Sequence, residues 1–302
     1  MNTETQLKVK EPKTVSLILG SGGARGLAHI GIIHELENAG FEIAAISGCS
    51  MGAVVGGIYA AGKLDVYEQW ARAIRRTDII RLMDLSWEKS GLLKGDKVIN
   101  TLTKLVGDQA IEDLPIRYTA VAADLKKGKE VWLNKGSLFA AIRASIAIPW
   151  FLTPVKFKNS LLVDGGILNP VPMAPSFNDH TDYKIAVNLG GPEIDEQLLK
   201  PKAKRPDADS FRGRIDKWVD QMTASFNKSD ETSLAPYDLG NRAFEAMQST
   251  IARHKLAVYP PDHLIEIPSN LAGMMDFDKA NELIEYGHEY GRQCVKDLLA
   301  GQ

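Results

Sequence analysis

The chain has 302 residues, 44% of them apolar and 25% charged, which is ordinary globular composition and room for one large domain or two small ones. Its 36 basic and 38 acidic side chains leave a net charge of -2, so no global field favours nucleic acid or an anionic membrane, and any such contact must be local. The two cysteines, Cys49 and Cys294, lie far apart with no metal-ligand spacing, the N-terminal stretch lacks an apolar signal-like core, and no run has the ~18 apolar residues of a spanning helix. A cytoplasmic location is the expectation, with no nucleic-acid partner.

In chain order, "TVSLIL" (14–19) is a β-branched apolar run ending in glycines and predicts a buried strand. From Gly26 to Ala39 the spacing of Ile30, Ile33 and Leu36 predicts a helix that stops at Gly40. "IAAIS" (43–47) predicts a second strand and "MGAVVGGIYAAGK" a second helix. Strands are further expected at 117–123, 129–133, 161–163 and 184–189, with helices near 97–106 and 137–145. Strand and helix alternating at this spacing give parallel βα units. The expected fold is therefore α/β, a mainly parallel central sheet covered by helices on both faces. Residues 15–190 are expected to form one α/β unit, and 191–302 a linker or flap with a C-terminal helical extension packed on it. Within that tail, 201–210 is charged and aperiodic, Phe211, Ile215, Trp218, Val219, Met222 and Phe226 share one helical face, and 238–256 and 277–299 are helical.

Three motifs carry chemistry. Gly48-Cys49-Ser50-Met51-Gly52 fits G-x-S-x-G, in which a sharp strand-to-helix turn lifts a serine hydroxyl above the sheet. Gly20-Ser21-Gly22-Gly23-Ala24-Arg25-Gly26 also lies between strand and helix, where successive backbone N–H groups hold a phosphate or an oxyanion. Neither nucleotide fingerprint fits it: Arg25 takes a glycine's place, the next strand ends without an acid, and no Lys-Ser or Lys-Thr follows. A tight structural turn with Arg25 as an ion-pair partner is the other reading. Asp164-Gly165-Gly166, after "LLV", is by itself a turn signal, and it reads as a base only beside the other two motifs.

In this order the three motifs resemble those of the patatin-like phospholipases, over about residues 15–190. The bacterial branch is similar also in "RASIAIPWFLTPV" (143–155), in Asn169-x-Pro and in "YPPDHLIEIP" (259–268). One departure is Ser21, where the family's loop carries its first glycine. The resemblance implies a Ser-Asp dyad without histidine: Ser50 as nucleophile, Asp164 as proton acceptor, and the N–H groups of Gly22, Gly23, Ala24 and Met51 around the oxyanion. Gly20, Ser21, Arg25, Gly26, Gly48, Gly52, Gly165 and Gly166 support the motifs. No metal or organic cofactor is needed. The expected substrate is an acyl lipid, phospholipid or lysophospholipid. An acyltransferase using the same nucleophile, and a non-catalytic nucleotide- or partner-binding module, are the alternatives. A triad would have to recruit His180, His254, His263 or His288, none of which sits in a supporting motif. His29 and His34 read as surface or core-satisfying, and Cys49 as a packed neighbour of the nucleophile. For the 211–226 face, core packing competes with a flap that docks on lipid aggregates or on a second subunit.

Overall fold

The computed structural model describes residues 12–82, 93–195 and 236–300. The 201–210 linker and the 211–226 helix face lie outside them. In chain order come β1 (Lys13–Leu19), a 3-10 turn (Gly23–Leu27), α1 (Ala28–Asn38), β2 (Phe41–Cys49), α2 (Met51–Ala60), α3 (Leu64–Ala73), α4 (Arg76–Leu82) and α5 (Asp96–Val106). There follow β3 (Arg117–Asp124), β4 (Lys129–Leu133), α6 (Leu138–Ser145), β5 (Val155–Phe157), β6 (Ser160–Asp164), β7 (Tyr183–Gly191), α7 (Pro236–Val258), β8 (His263–Pro268) and α8 (Ala280–Ala300).

The strands join one sheet in the order β5-β6-β3-β2-β1-β7-β8, with β4 on the free edge of β3. β1 pairs in parallel with β2 and β7, as do β2 with β3 and β7 with β8; β4, β5 and β6 run antiparallel to their neighbours. The central strands read as continuous apolar runs because helices cover both faces, so successive side chains both meet core: Leu17 and Ile18 of β1 are each fully buried, in different clusters. The fold is thus the expected mainly parallel α/β arrangement. The tail is not helical throughout, since it also contributes β8 to the sheet beside β7.

One feature of the register governs the site. β4 occupies one edge of β3, so β2 and β6 must share the other, and they do so end to end: Cys49 pairs with Val121, and Asp164 with Ala122. β2 rises along β3 and stops; β6 descends along the same edge and stops against it. The strand ends Cys49 and Asp164, 115 residues apart in sequence, thereby meet and bring Ser50 beside Asp164.

Candidate active site

Ser50 stands between β2 and α2 with φ 54 and ψ -122, a conformation that L-residues with a side chain rarely adopt. The turn is possible because its neighbours lack Cβ atoms. A Cβ on Gly52 would lie 2.1 Å from the Leu19 carbonyl oxygen, and one on Gly48 would lie 2.4 Å from the Gly52 carbonyl oxygen. The Ser50 N–H donates to Ser145 Oγ at 3.0 Å, and that hydroxyl donates onward to the Val121 carbonyl at 2.7 Å. The elbow is therefore tied to α6 and β3. Ser145, inside the "RASIAIP" segment, has a role that no local pattern in the sequence signals.

Asp164 is 1% exposed, and its Oδ1 accepts the Gly166 N–H at 2.7 Å and the Cys49 thiol at 3.8 Å. Burial pushes its pKa up to about 6, against the opposing pull of hydrogen bonds from the Ser50 hydroxyl, the Gly166 N–H and the Cys49 thiol. A carboxylate so placed is a better proton acceptor than one in water. Gly165 lies where a Cβ would meet the Val121 carbonyl at 2.3 Å, and Gly166 lies under Gln248. Cys49 is fully buried, and burial beside Asp164 raises its pKa well above the usual thiol value, so it stays a neutral packed thiol.

The glycine-rich loop runs alongside. Gly20 and Ser21 donate their N–H groups to the carbonyls of Val187 and Pro170, at 3.0 and 2.8 Å. The Ala24 N–H donates to the Met274 carbonyl at 2.9 Å. That commitment separates Ala24 from Gly22 and Gly23, the other two loop donors named above. Gly23 has φ +56 and lies against Met274, so a side chain here is both strained and blocked. Gly26 fits under Met51, whose Cβ would be 2.4 Å from an added one. Ser21, at the position of the expected glycine, keeps an ordinary backbone and its hydroxyl accepts from Gln248 at 3.4 Å, so no glycine is needed there.

Arg25 fastens this loop to the tail. Its guanidinium is buried and donates to the carbonyls of Ser269 (2.7 Å) and Ala272 (2.9 Å) and to Glu245 of α7 (3.0 Å). The ion-pair reading of Arg25 is met, with partners more than 200 residues away in sequence. His29 fixes the loop's other end: burial lowers its pKa to about 4, so the neutral ring donates Nε2–H to the Gly20 carbonyl at 3.0 Å. His34 and His288 bond Glu68 and Glu35 at 2.8 and 2.7 Å. Among the described residues no histidine is hydrogen-bonded to Ser50 or Asp164.

Beside Ser50 opens an apolar cavity of about 140 Å³, close to the ~150 Å³ of an apolar cavity that takes up benzene. Gly23, Ser50 and Met51 are among its lining residues, as are Tyr67 and Trp70 of α3 and Leu102 of α5. Met274, Met275 and Phe277 form another wall, so the segment that accepts the Ala24 N–H also shapes the cavity. Among the described residues no group of His, Cys, Asp and Glu could hold a metal ion, and no helix is long and apolar enough to cross a membrane.

A serine held at positive φ between a strand and a helix is where α/β ester hydrolases carry their nucleophile. The patatin-like phospholipase model matches residues 17–176. An uncharacterized NTE family protein of Mycobacterium tuberculosis is 38% identical over 93% of this chain and 91% of its own length. The chain belongs to the patatin-like phospholipase family. The lysophospholipase nte1 of Aspergillus oryzae is 27% identical over 95% of this chain, which spans only 18% of that longer protein. VipD from Legionella pneumophila aligns with 96% of this chain and 68% of its own at 13% identity and a TM-score of 0.44, too distant a likeness to bear on fold or activity.

Proposed function

We propose that the protein hydrolyses acyl esters of phospholipid or lysophospholipid through a Ser50-Asp164 dyad and an acyl-enzyme. The observation that carries this reading is the meeting of β2 and β6 on one edge of β3, which puts the Ser50 hydroxyl beside a buried carboxylate and an apolar cavity. Asp164 accepts the hydroxyl proton as Ser50 attacks the ester carbonyl, and the tetrahedral oxygen takes N–H bonds from Gly22, Gly23 and Met51. Collapse expels the alcohol, which regains the proton, and leaves the acyl group on Ser50. Water, with Asp164 again as base, then releases the fatty acid. The apolar cavity suits an acyl chain rather than a head group. The name of the Aspergillus relative agrees with a lysophospholipid substrate. Transfer of the acyl group to an alcohol uses the same intermediate and is distinguished by acceptor competition against water.

Labelling with a fluorophosphonate tests the nucleophile: a single adduct on Ser50 is expected, lost in Ser50→Ala. An adduct on another residue would reject the assignment. Alanine at His180, His254 or His263 is expected to leave kcat within about threefold, since none is hydrogen-bonded to Ser50 or Asp164; a hundredfold loss in a folded variant would favour a triad.

A further inference from the structure

β3 does not stop at the level of the site. Val121 is level with Cys49, and the strand continues three residues to Asp124, ~10 Å further, before turning through Leu125–Gly128 into β4. The β5–β6 hairpin reaches the same height and turns at Lys158 and Asn159. The two tips are joined: the Leu125 N–H donates to the Leu161 carbonyl at 3.0 Å, and Lys127 Nζ to Ser160 Oγ at 3.1 Å. They stand together beyond the carboxyl end of the sheet, the end that carries Ser50.

Among the described residues these tips combine exposed apolar side chains with several lysines. Leu125 is 50% exposed and Phe157 46%, and Lys126, Lys127, Lys129, Lys156 and Lys158 are all exposed around them. The acids on these hairpins are already engaged: Asp124 is buried 3.4 Å from Lys127, and Glu130 is held by Lys255 at 2.6 Å and Asn169 at 3.0 Å. Lys158 lies over the Phe157 ring, 5.5 Å from its centre. Beyond the Lys127–Asp124 pair, a chain of net charge -2 thus places four cations, Lys126, Lys129, Lys156 and Lys158, around two apolar tips. Free phosphate or a soluble anion would satisfy the lysines but leave Leu125 and Phe157 in water. A phospholipid surface satisfies both, with ammonium groups on the phosphates and apolar tips at the edge of the acyl layer.

We propose that the Leu125–Lys129 and Lys156–Lys158 tips dock on an anionic phospholipid bilayer and turn the carboxyl end of the sheet, with Ser50, toward it. This rests on the acyl-lipid reading of the site, because it supplies the route by which a substrate held in a membrane meets the nucleophile.

The test is co-sedimentation of the full chain with phosphatidylcholine vesicles, with and without phosphatidylserine, beside hydrolysis of a short soluble ester. Wild type is expected to bind the anionic vesicles and to release them as salt rises from about 0.1 M to about 1 M, where the screening length falls from ~10 to ~3 Å. Leu125→Ser/Phe157→Ser is expected to lower vesicle partitioning at least tenfold. Alanine at Lys126, Lys129, Lys156 and Lys158 is expected to lower it about fivefold per lysine, with hydrolysis of the soluble ester unchanged in both variants. Binding that survives both sets of changes, or wild type that binds neither vesicle, would overturn the proposal. A change of oligomeric state in the variants without a change in vesicle binding would assign the tips to a second copy of the chain instead. Vesicle binding needs no turnover, so a protein that binds as expected but hydrolyses no ester would reject the functional reading and leave the docking surface standing.

Discussion

Asp164→Asn separates the cost of a buried base from its use. The carboxyl titrates at about 6 in the folded protein against 3.8 for an ordinary aspartate, because burial disfavours the charged form. Below about pH 4 the group is protonated in both states and makes no difference. As pH rises from 3.8 to about 6 the unfolded chain ionises while the folded one holds its proton, so wild type loses stability, and above 6 the loss is constant. At about 1.4 kcal/mol per unit, the gap amounts to about 3 kcal/mol. Asparagine keeps the oxygen that accepts the Gly166 N–H and has no charge to bury. Urea unfolding at several pH values is therefore expected to show Asp164→Asn level with wild type near pH 4 and about 3 kcal/mol more stable at pH 8. The same change should cost a hundredfold or more in kcat, and wild-type kcat/KM should fall about tenfold per unit below pH 6. A variant less stable than wild type at pH 8, or a difference that does not move with pH, would refute the desolvated-base reasoning.

Ser50→Gly should abolish hydrolysis yet be about 1 kcal/mol more stable than Ser50→Ala, since only glycine relaxes φ 54, and a less stable glycine variant in thermal unfolding would remove the strain argument. Gly23→Val, strained at φ +56 and pressed on Met274, should lower kcat far more than it raises KM, one lost oxyanion donor being worth about 3 kcal/mol; steady-state kinetics showing a pure KM effect would move the loop to substrate binding. Ser145→Ala leaves the buried Ser50 N–H without its acceptor and should cost about 1–3 kcal/mol in urea unfolding along with part of kcat. Unchanged stability and rate would show that the elbow does not depend on it.

The sequence made the central strands and the three motifs visible because each is local: β1 and β2 are mostly apolar runs that lead into glycines, and parallel pairing gathers such ends at one edge. β5 is only three residues long, and β8, "HLIEIP", mixes polar residues into its run, so neither stands out, and the tail reads as helix and linker. Ser145, Met274 and the partners of Arg25 act across 95 to 250 positions through single hydrogen bonds, contacts that leave no periodicity to detect. The motif string names Ala24 with Gly22 and Gly23 alike, whereas the fold commits the Ala24 N–H to Met274. The end-to-end meeting of β2 and β6 is likewise a property of register, which the two motifs do not encode.

The most direct measurement is rapid-quench intact mass spectrometry of the protein turning over a lysophospholipid, followed by peptide mapping. A transient mass increase of one acyl group on the peptide carrying Ser50, absent from Ser50→Ala, is the predicted result. Steady hydrolysis with no covalent acyl group at any time, or an acyl group on another residue, would contradict the dyad.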